Sequence, residues 1–249
     1  DLMGEWDGLR VYTIGHSTRS LEEFVALLRA FDVRVLADIR TVPRSRHNPQ
    51  FNKDSLPHAL ARQGIRYAHL ARLGGLRHAR KDSPNAAWRN ASFRGYADHM
   101  QTADFEAGLR ELRALSSEGT VALMCAEAVP FRCHRSLVAD ALTARGAQVA
   151  DIQGPKRAPP HRMTPFARVN GPQVTYPADA AQEGAPLEHE VHDASPRTSA
   201  REGALPTHGP FHLEATVRVL ARSPNNPVER WADGRYLLLY RVAGGLTLI

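Results

Sequence analysis

Along the first 150 positions the apolar residues switch between two periods, and each switch marks a new element. VYTIG (11–15) is a short apolar run closed by glycine, the pattern of a buried strand. In TRSLEEFVALLRAF (18–31), Leu21, Phe24, Val25 and Leu28 fall at helical spacing, with Ser20 as N-cap and Glu23 three residues on. VRVLADI (33–39) is again a continuous apolar strand, so a strand, a helix and a strand form a βαβ unit with parallel strands. Region 40–52 carries two prolines and reads as a loop. DSLPHALARQG (54–64) predicts a helix with Pro57 in its first turn and Gly64 at its end. IRYAHL (65–70) and TVALMC (120–125) predict strands, CHRSLVADALTARG (133–146) a helix, and AQVADI (147–152) a last strand. Between them, 71–93 is polar and longer than an ordinary connection, and 94–117 predicts a helix.

Strands alternating with helices predict an α/β fold over residues 9–178: an open, mostly parallel sheet of about five strands with helices on both faces. Residues 153–177 are rich in proline and arginine. Residues 179–208 are acidic, rich in Pro, Ser and Ala, and without periodicity, which predicts a disordered linker. FHLEATVRVL (211–220) and RYLLLYRV (235–242), around SPNNP (223–227), predict a small β-rich segment over 209–249. Such a segment is too short to bury much core alone. The chain starts without Met and stops inside a strand-like GGLTLI, as a piece of a longer reading frame would.

Composition narrows the setting. At 43% hydrophobic and 23% charged residues the chain has ordinary globular character. No apolar run approaches the roughly 20 residues needed to span a bilayer, and the start lacks the build of a signal peptide. Its two cysteines, Cys125 and Cys133, cannot form a disulfide framework, so a reducing, cytoplasmic location is expected.

Charge changes the picture more. The net charge is +6, but residues 1–178 hold 25 Lys and Arg against 17 Asp and Glu, whereas 179–249 hold 7 against 9. From Arg40 to Arg94 there are 12 basic residues and two acids, Asp54 and Asp82. Of the 32 basic residues 29 are arginine, the side chain suited to bidentate phosphate contact. A GC-rich gene would explain arginine over lysine but not the shortage of acids in that window. A nucleic acid or a phosphate-bearing small molecule is therefore the expected partner, with no membrane.

Parallel α/β sheets bind ligands beyond the carboxyl ends of their strands. Those ends carry Gly15-His16-Ser17, then Asp38 and Arg40, then Gly74-Gly75, then Cys125 and Glu127 followed by Cys133, His134 and Arg135. The segment CAEAVPFRCHR (125–135) is the richest. A thiol at the start of a helix beside His134 and Arg135 has a lowered pKa, and the same geometry holds a phosphate. Each residue also has a plainer role: Cys125 as a small strand-end residue, Cys133 packed under the helix, Glu127 in a surface loop, Ser17 in a helix cap, Asp38 paired with Arg40. Arg44, Arg46, Asn48 and Phe51 mix charge, amide and aromatic character in the 40–52 loop, which suits a nucleotide or a single strand.

Named motifs fit poorly. Cys125 to Arg132 is C-x6-R, not the C-x5-R of cysteine phosphatases. Cys125-x-Glu127 and Pro130-x-x-Cys133 imitate pieces of the zinc deaminase signature with too short a gap. A zinc set drawn from Cys125, Cys133, His134 and His16 lacks the paired C-x2-C spacing of closed sites, so neither a metal nor a cofactor is expected.

Taken together, YTIGHS (12–17), DIR-x-x-PRSR (38–46), LGG (73–75), CAE-x5-CHRS (125–136) and TPFARV-x-G (164–171) resemble the Domain of Unknown Function 488 family over roughly residues 9–178. The resemblance implies a compact α/β domain of unassigned activity in DNA-repair or restriction-like settings, with His16, Asp38, Arg40, Cys125, Glu127, Cys133, His134 and Arg135 at signature positions. The tail is more weakly similar to the N-terminal domain of helix-hairpin-helix DNA-3-methyladenine glycosylases, without their catalytic motif.

The resulting expectation is a nucleic-acid- or nucleotide-directed enzyme. In it Cys125 or Cys133 is nucleophile or ligand, Glu127 and His134 are acid and base, and Arg40 and Arg135 clamp an anion. The alternatives are a non-catalytic nucleic-acid-binding module and a redox or small-molecule sensor built on the cysteine pair.

Overall fold

The structure, a computed structural model, describes residues 4–178, 228–232, 235–242 and 245–248. The chain divides into two units, Asp1–Glu188 and His189–Ile249. The expected linker at 179–208, strand at 211–220 and turn at 223–227 lie outside the described residues.

The first unit is an α/β fold built on a five-stranded sheet of β1 (Arg10–Gly15), β2 (Val35–Asp38), β3 (Arg66–His69), β4 (Val121–Cys125) and β5 (Gln148–Asp151). The spatial order is β3-β2-β4-β1-β5, and every neighbouring pair is parallel. Strand side chains alternate between faces. Val11, Val121, Leu123 and Cys125 therefore join one core with α3 (Ala91–His99), α4 (Ala103–Leu115) and α5 (Arg135–Ala144). Tyr12, Ile14, Ala122 and Met124 join a second core with α1 (Leu21–Ala30) and α2 (Leu56–Ala61). Helices cover both faces, as the continuous apolar strands require.

This order creates a switch point. From β1 the chain passes over the α1 face to β2, whereas from β4 it passes over the α5 face to β5 on the other side. β1 and β4 are neighbours, so their connections leave in opposite directions and open a crevice between their carboxyl ends, where α/β proteins take ligands.

Three local outcomes differ from the sequence reading. The helix expected over 94–117 is two helices, because Thr102 accepts a hydrogen bond from the Phe105 N–H and caps α4, with Asp104 and Glu106 in its first turn. α5 starts at Arg135 with His134 as its N-cap residue, so Cys133 precedes the helix. The 153–177 segment contains a ribbon of β6 (Arg168–Asn170) and β7 (Gln173–Thr175) and straps back over α5. There Asp140, wholly buried, accepts hydrogen bonds from Tyr176 Oη (2.8 Å), Thr164 Oγ1 (2.6 Å) and His161 Nε2 (2.7 Å).

The second unit contains an antiparallel sheet of β8 (Val228–Ala232), β9 (Arg235–Val242) and β10 (Gly245–Leu248), in the order β10-β9-β8. β9 coincides with the strand expected at 235–242.

Candidate functional site

Gly15 and Cys125, the last residues of β1 and β4, are register partners at the switch point. A Cβ on Gly15 would fall 1.9 Å from the Glu127 carbonyl oxygen, so only glycine lets residues 126–128 cross the end of β1. Two further bonds, His16 N–H to Cys125 O (2.9 Å) and Ser17 N–H to Ala126 O (2.8 Å), extend the pairing past both strands. Ser17 sits at φ 51°, a left-handed conformation uncommon for a residue with a side chain.

Strand alternation turns Cys125 toward the α5 face. A short 3-10 turn, Pro130–Arg132, then returns the chain so that Cys133 and His134 meet it. The sulfurs of Cys125 and Cys133 lie 3.9 Å and 3.7 Å from His134 Nδ1. His134 Nε2 is 3.0 Å from the Ile39 carbonyl oxygen. A carbonyl only accepts, so Nε2 carries the proton and Nδ1 presents its lone pair to the sulfurs. The ring is held by Tyr96, 4.9 Å away, and by Gly75. A Cβ on Gly75 would meet Nδ1 at 2.4 Å and both Cγ and Cε1 at 2.8 Å. Such an atom lands on the face of the imidazole, not along the Nδ1 lone pair.

Hydrogen bonding from Cys133 pulls the Cys125 thiol down against the cost of burial, and the positive charge of Arg135 adds to the effect. Cys133 is pushed up by the neighbouring thiolate and by burial. Beneath them Arg135, 1% exposed, donates to Thr13 Oγ1 (3.0 Å), Glu127 O (2.6 Å) and Ala128 O (3.0 Å). All three acceptors are uncharged. Among the described residues no carboxylate pairs directly with this guanidinium.

A second network lies across the crevice. Arg40, 6% exposed, bonds Asp38 through Nε (2.9 Å) and Nη2 (2.6 Å), the Phe51 carbonyl through Nη2 (2.7 Å) and His16 Nε2 through Nη1 (3.3 Å). One of its five N–H groups remains for a ligand. His16 stacks on Phe51 at 4.3 Å and donates from Nδ1 to Ser17 O (2.8 Å), and burial holds its pKa below the usual range. Neutral His16 thus orients Arg40.

Both networks border a cavity of about 670 Å³ at the switch point. Of the residues singled out from sequence, His16, Ser17, Arg40, Arg44, Asn48, Gly75, Cys125, Glu127, Cys133 and His134 line it. Asp38 and Arg135 lie buried behind the wall, and Gly74 packs against Thr41. Arg46 is exposed and outside the lining. Glu127 sits at the rim, with Oε1 accepting from the Val129 N–H at 3.2 Å. Sequence reasoning passed over Thr41, Val42, Leu76 and Phe93, and it weighed Arg132 only as the arginine of a phosphatase loop. Val42 and Leu76 are 61% and 74% exposed at the mouth, and apolar residues inside otherwise polar loops were the signal. Phe93 stacks on Trp88 at 4.7 Å.

The basic window is half neutralised. Arg66 pairs with Glu118, Arg72 with Asp104 and Glu111, and Arg77 with Asp104, all acids supplied from beyond the window. Arg44 and Arg80 pair with Asp54 and Asp82. Among the described residues no helix is long and apolar enough to cross a membrane.

Fold and site together define a parallel α/β protein with a switch-point pocket floored by two thiols and an imidazole. The model of the family described as Domain of unknown function DUF488 matches residues 20–142 of the α/β domain. No curated protein and no solved structure matches the chain, so neither comparison gives the tail a glycosylase relative.

Proposed function

We propose that the domain is an enzyme acting on a phosphate-bearing molecule of nucleotide size, with Cys125, Cys133 and His134 as its reactive centre. One observation carries the reading: two thiols and an imidazole with a directed lone pair meet on the floor of an open cavity at the switch point. Arg40, Arg44 and Arg132 line that cavity, and Arg40 keeps one N–H for a ligand beyond its bonds to Asp38, Phe51 and His16. Cations lining an open cavity suit a compact anion, and the apolar mouth and Phe93 suit a planar base. A small ligand is favoured over an extended duplex because half of the basic window already has acidic partners. An end or a flipped nucleotide of a nucleic acid would meet the same pocket, and that is the form a repair role would take.

Calorimetry with mononucleotides, dinucleotides and single- and double-stranded DNA tests this. Nucleotides are expected to bind in the micromolar to millimolar range, weakened several-fold by Arg44→Ala. Tight duplex binding with a steep salt dependence would replace this reading with a nucleic-acid-binding module. Absence of binding by every anion would end both.

A further inference from the structure

We infer that Cys125, Cys133 and His134 bind one zinc-class ion and leave its fourth position open to the cavity. This rests on the reading that the cluster is the reactive centre, and it names the chemistry of that centre. The ligand atoms of the three residues lie within 4.8 Å of one another. Zinc bonds of about 2.3 Å to sulfur and about 2.0–2.1 Å to nitrogen imply tetrahedral S–N edges of roughly 3.6 Å. The observed separations, 3.9 and 3.7 Å, need only a few tenths of an ångström of closure.

The surroundings are those a metal site requires. Nε2–H of His134 is anchored on the Ile39 carbonyl, which fixes the tautomer and aims Nδ1 at the sulfurs. Gly75 covers the ring's face without occupying the lone-pair direction. Two sulfurs and one imidazole select zinc over magnesium, calcium or manganese, whose preference is for oxygen.

Openness follows from the lining, since all three residues border the cavity. The C-x2-C pairs whose absence argues against a metal in the sequence are marks of closed four-ligand sites. A catalytic zinc has three protein ligands and an exchangeable fourth. Charge then selects that fourth ligand. A dication with two thiolates and a neutral imidazole sums to zero, and buried Arg135 adds a positive charge that no carboxylate among the described residues pairs with directly. An anion, hydroxide or a phosphoryl oxygen, completes the balance.

The test uses the full chain, purified without a histidine tag and kept reduced. Elemental analysis should find about one zinc per chain. Replacement by Co(II) should give thiolate-to-cobalt charge-transfer bands and tetrahedral d–d bands, and added inorganic phosphate should perturb the latter. Cys133→Ala and His134→Gln should each lower affinity at least tenfold in a chelator competition, with circular dichroism reporting whether each variant is folded. Should a variant unfold, removing metal from the wild type with a chelator and restoring it by zinc titration gives the same answer. Folded, reduced wild type that takes up neither zinc nor cobalt overturns the inference, as does a Cys125→Ala/Cys133→Ala variant that keeps its metal. Rapid formation of a Cys125–Cys133 disulfide with diamide in metal-free protein that zinc does not slow overturns it too, in favour of a dithiol switch. Metal binding without nucleotide binding sinks the proposed substrate while the metal site stands; nucleotide binding without metal does the reverse.

Discussion

At Gly75 a single hydrogen where other residues carry a methyl sets the position of the His134 imidazole. Alanine is compatible with the backbone there, yet its Cβ would collide with a ring that Tyr96 and Ile39 hold in place. Gly75→Ala should therefore lower zinc affinity about tenfold or more and leave the melting temperature within a few degrees. Unchanged affinity in a chelator competition would show that the ring has room to move. The buried pair Asp38–Arg40 makes a different demand. Asp38→Asn leaves a guanidinium at 6% exposure without its counter-charge. It should cost about 3–5 kcal/mol in urea unfolding; a loss below about 1 kcal/mol would mean that water reaches the site. The sequence offers Asp38 and Arg40 as either ligand or mutual partners. Only the fold shows that Asp38 has turned inward, where it also accepts from Tyr67. For Arg135 even that choice is hidden, because its acceptors are carbonyls and a threonine hydroxyl that no spacing brings together.

The strap over α5 ties distant elements through titratable groups. His161 lies between Asp140 on α5 and Asp151 at the end of β5, at 2.7 and 3.6 Å. Burial alone would lower its pKa, but the bonds and charges of the two carboxylates outweigh it and raise the pKa to about 9. The folded value lies above that of the unfolded chain, so the protonated form stabilises the fold fully below about pH 6.5 and is lost as pH climbs through 9. Stability should fall across that window by on the order of 2–3 kcal/mol, and His161→Gln should flatten the decline. A wild-type profile level from pH 6.5 to 9 would count against this pairing. The strand and helix periods make β1, β2, β4, β5, α1 and α5 legible in the sequence alone. The strap is not, since its prolines and arginines follow no period and its strands are three residues each. The break at Met100–Thr102 is legible in principle, because Thr102 followed by Asp104 and Glu106 is an N-terminal signal inside an otherwise helical pattern.

For the whole molecule, the strand order explains why residues far apart in sequence converge. Ends of β1, β2 and β4 lie side by side only because β4 inserts between the other two, a placement set by long-range packing and not by local pattern. The rule that ligands sit at strand carboxyl ends is enough to nominate most of the cavity wall without knowing that order. It cannot reveal the acids that return from α4 and Glu118 to neutralise the basic window. The aromatic wall of the cavity has an optical consequence. Trp88 is one of three tryptophans, its Nε1 is buried without a hydrogen-bond partner among the described residues, and its ring lies against Phe93, which touches the cavity. Its emission should lie toward the blue and shift or quench when the cavity fills, and Trp88→Phe should remove that response. If filling the cavity leaves the wild-type spectrum untouched, Phe93 does not move with the ligand. Otherwise the protein carries an unlabelled fluorescent gauge of its own occupancy, ready for screening ligands.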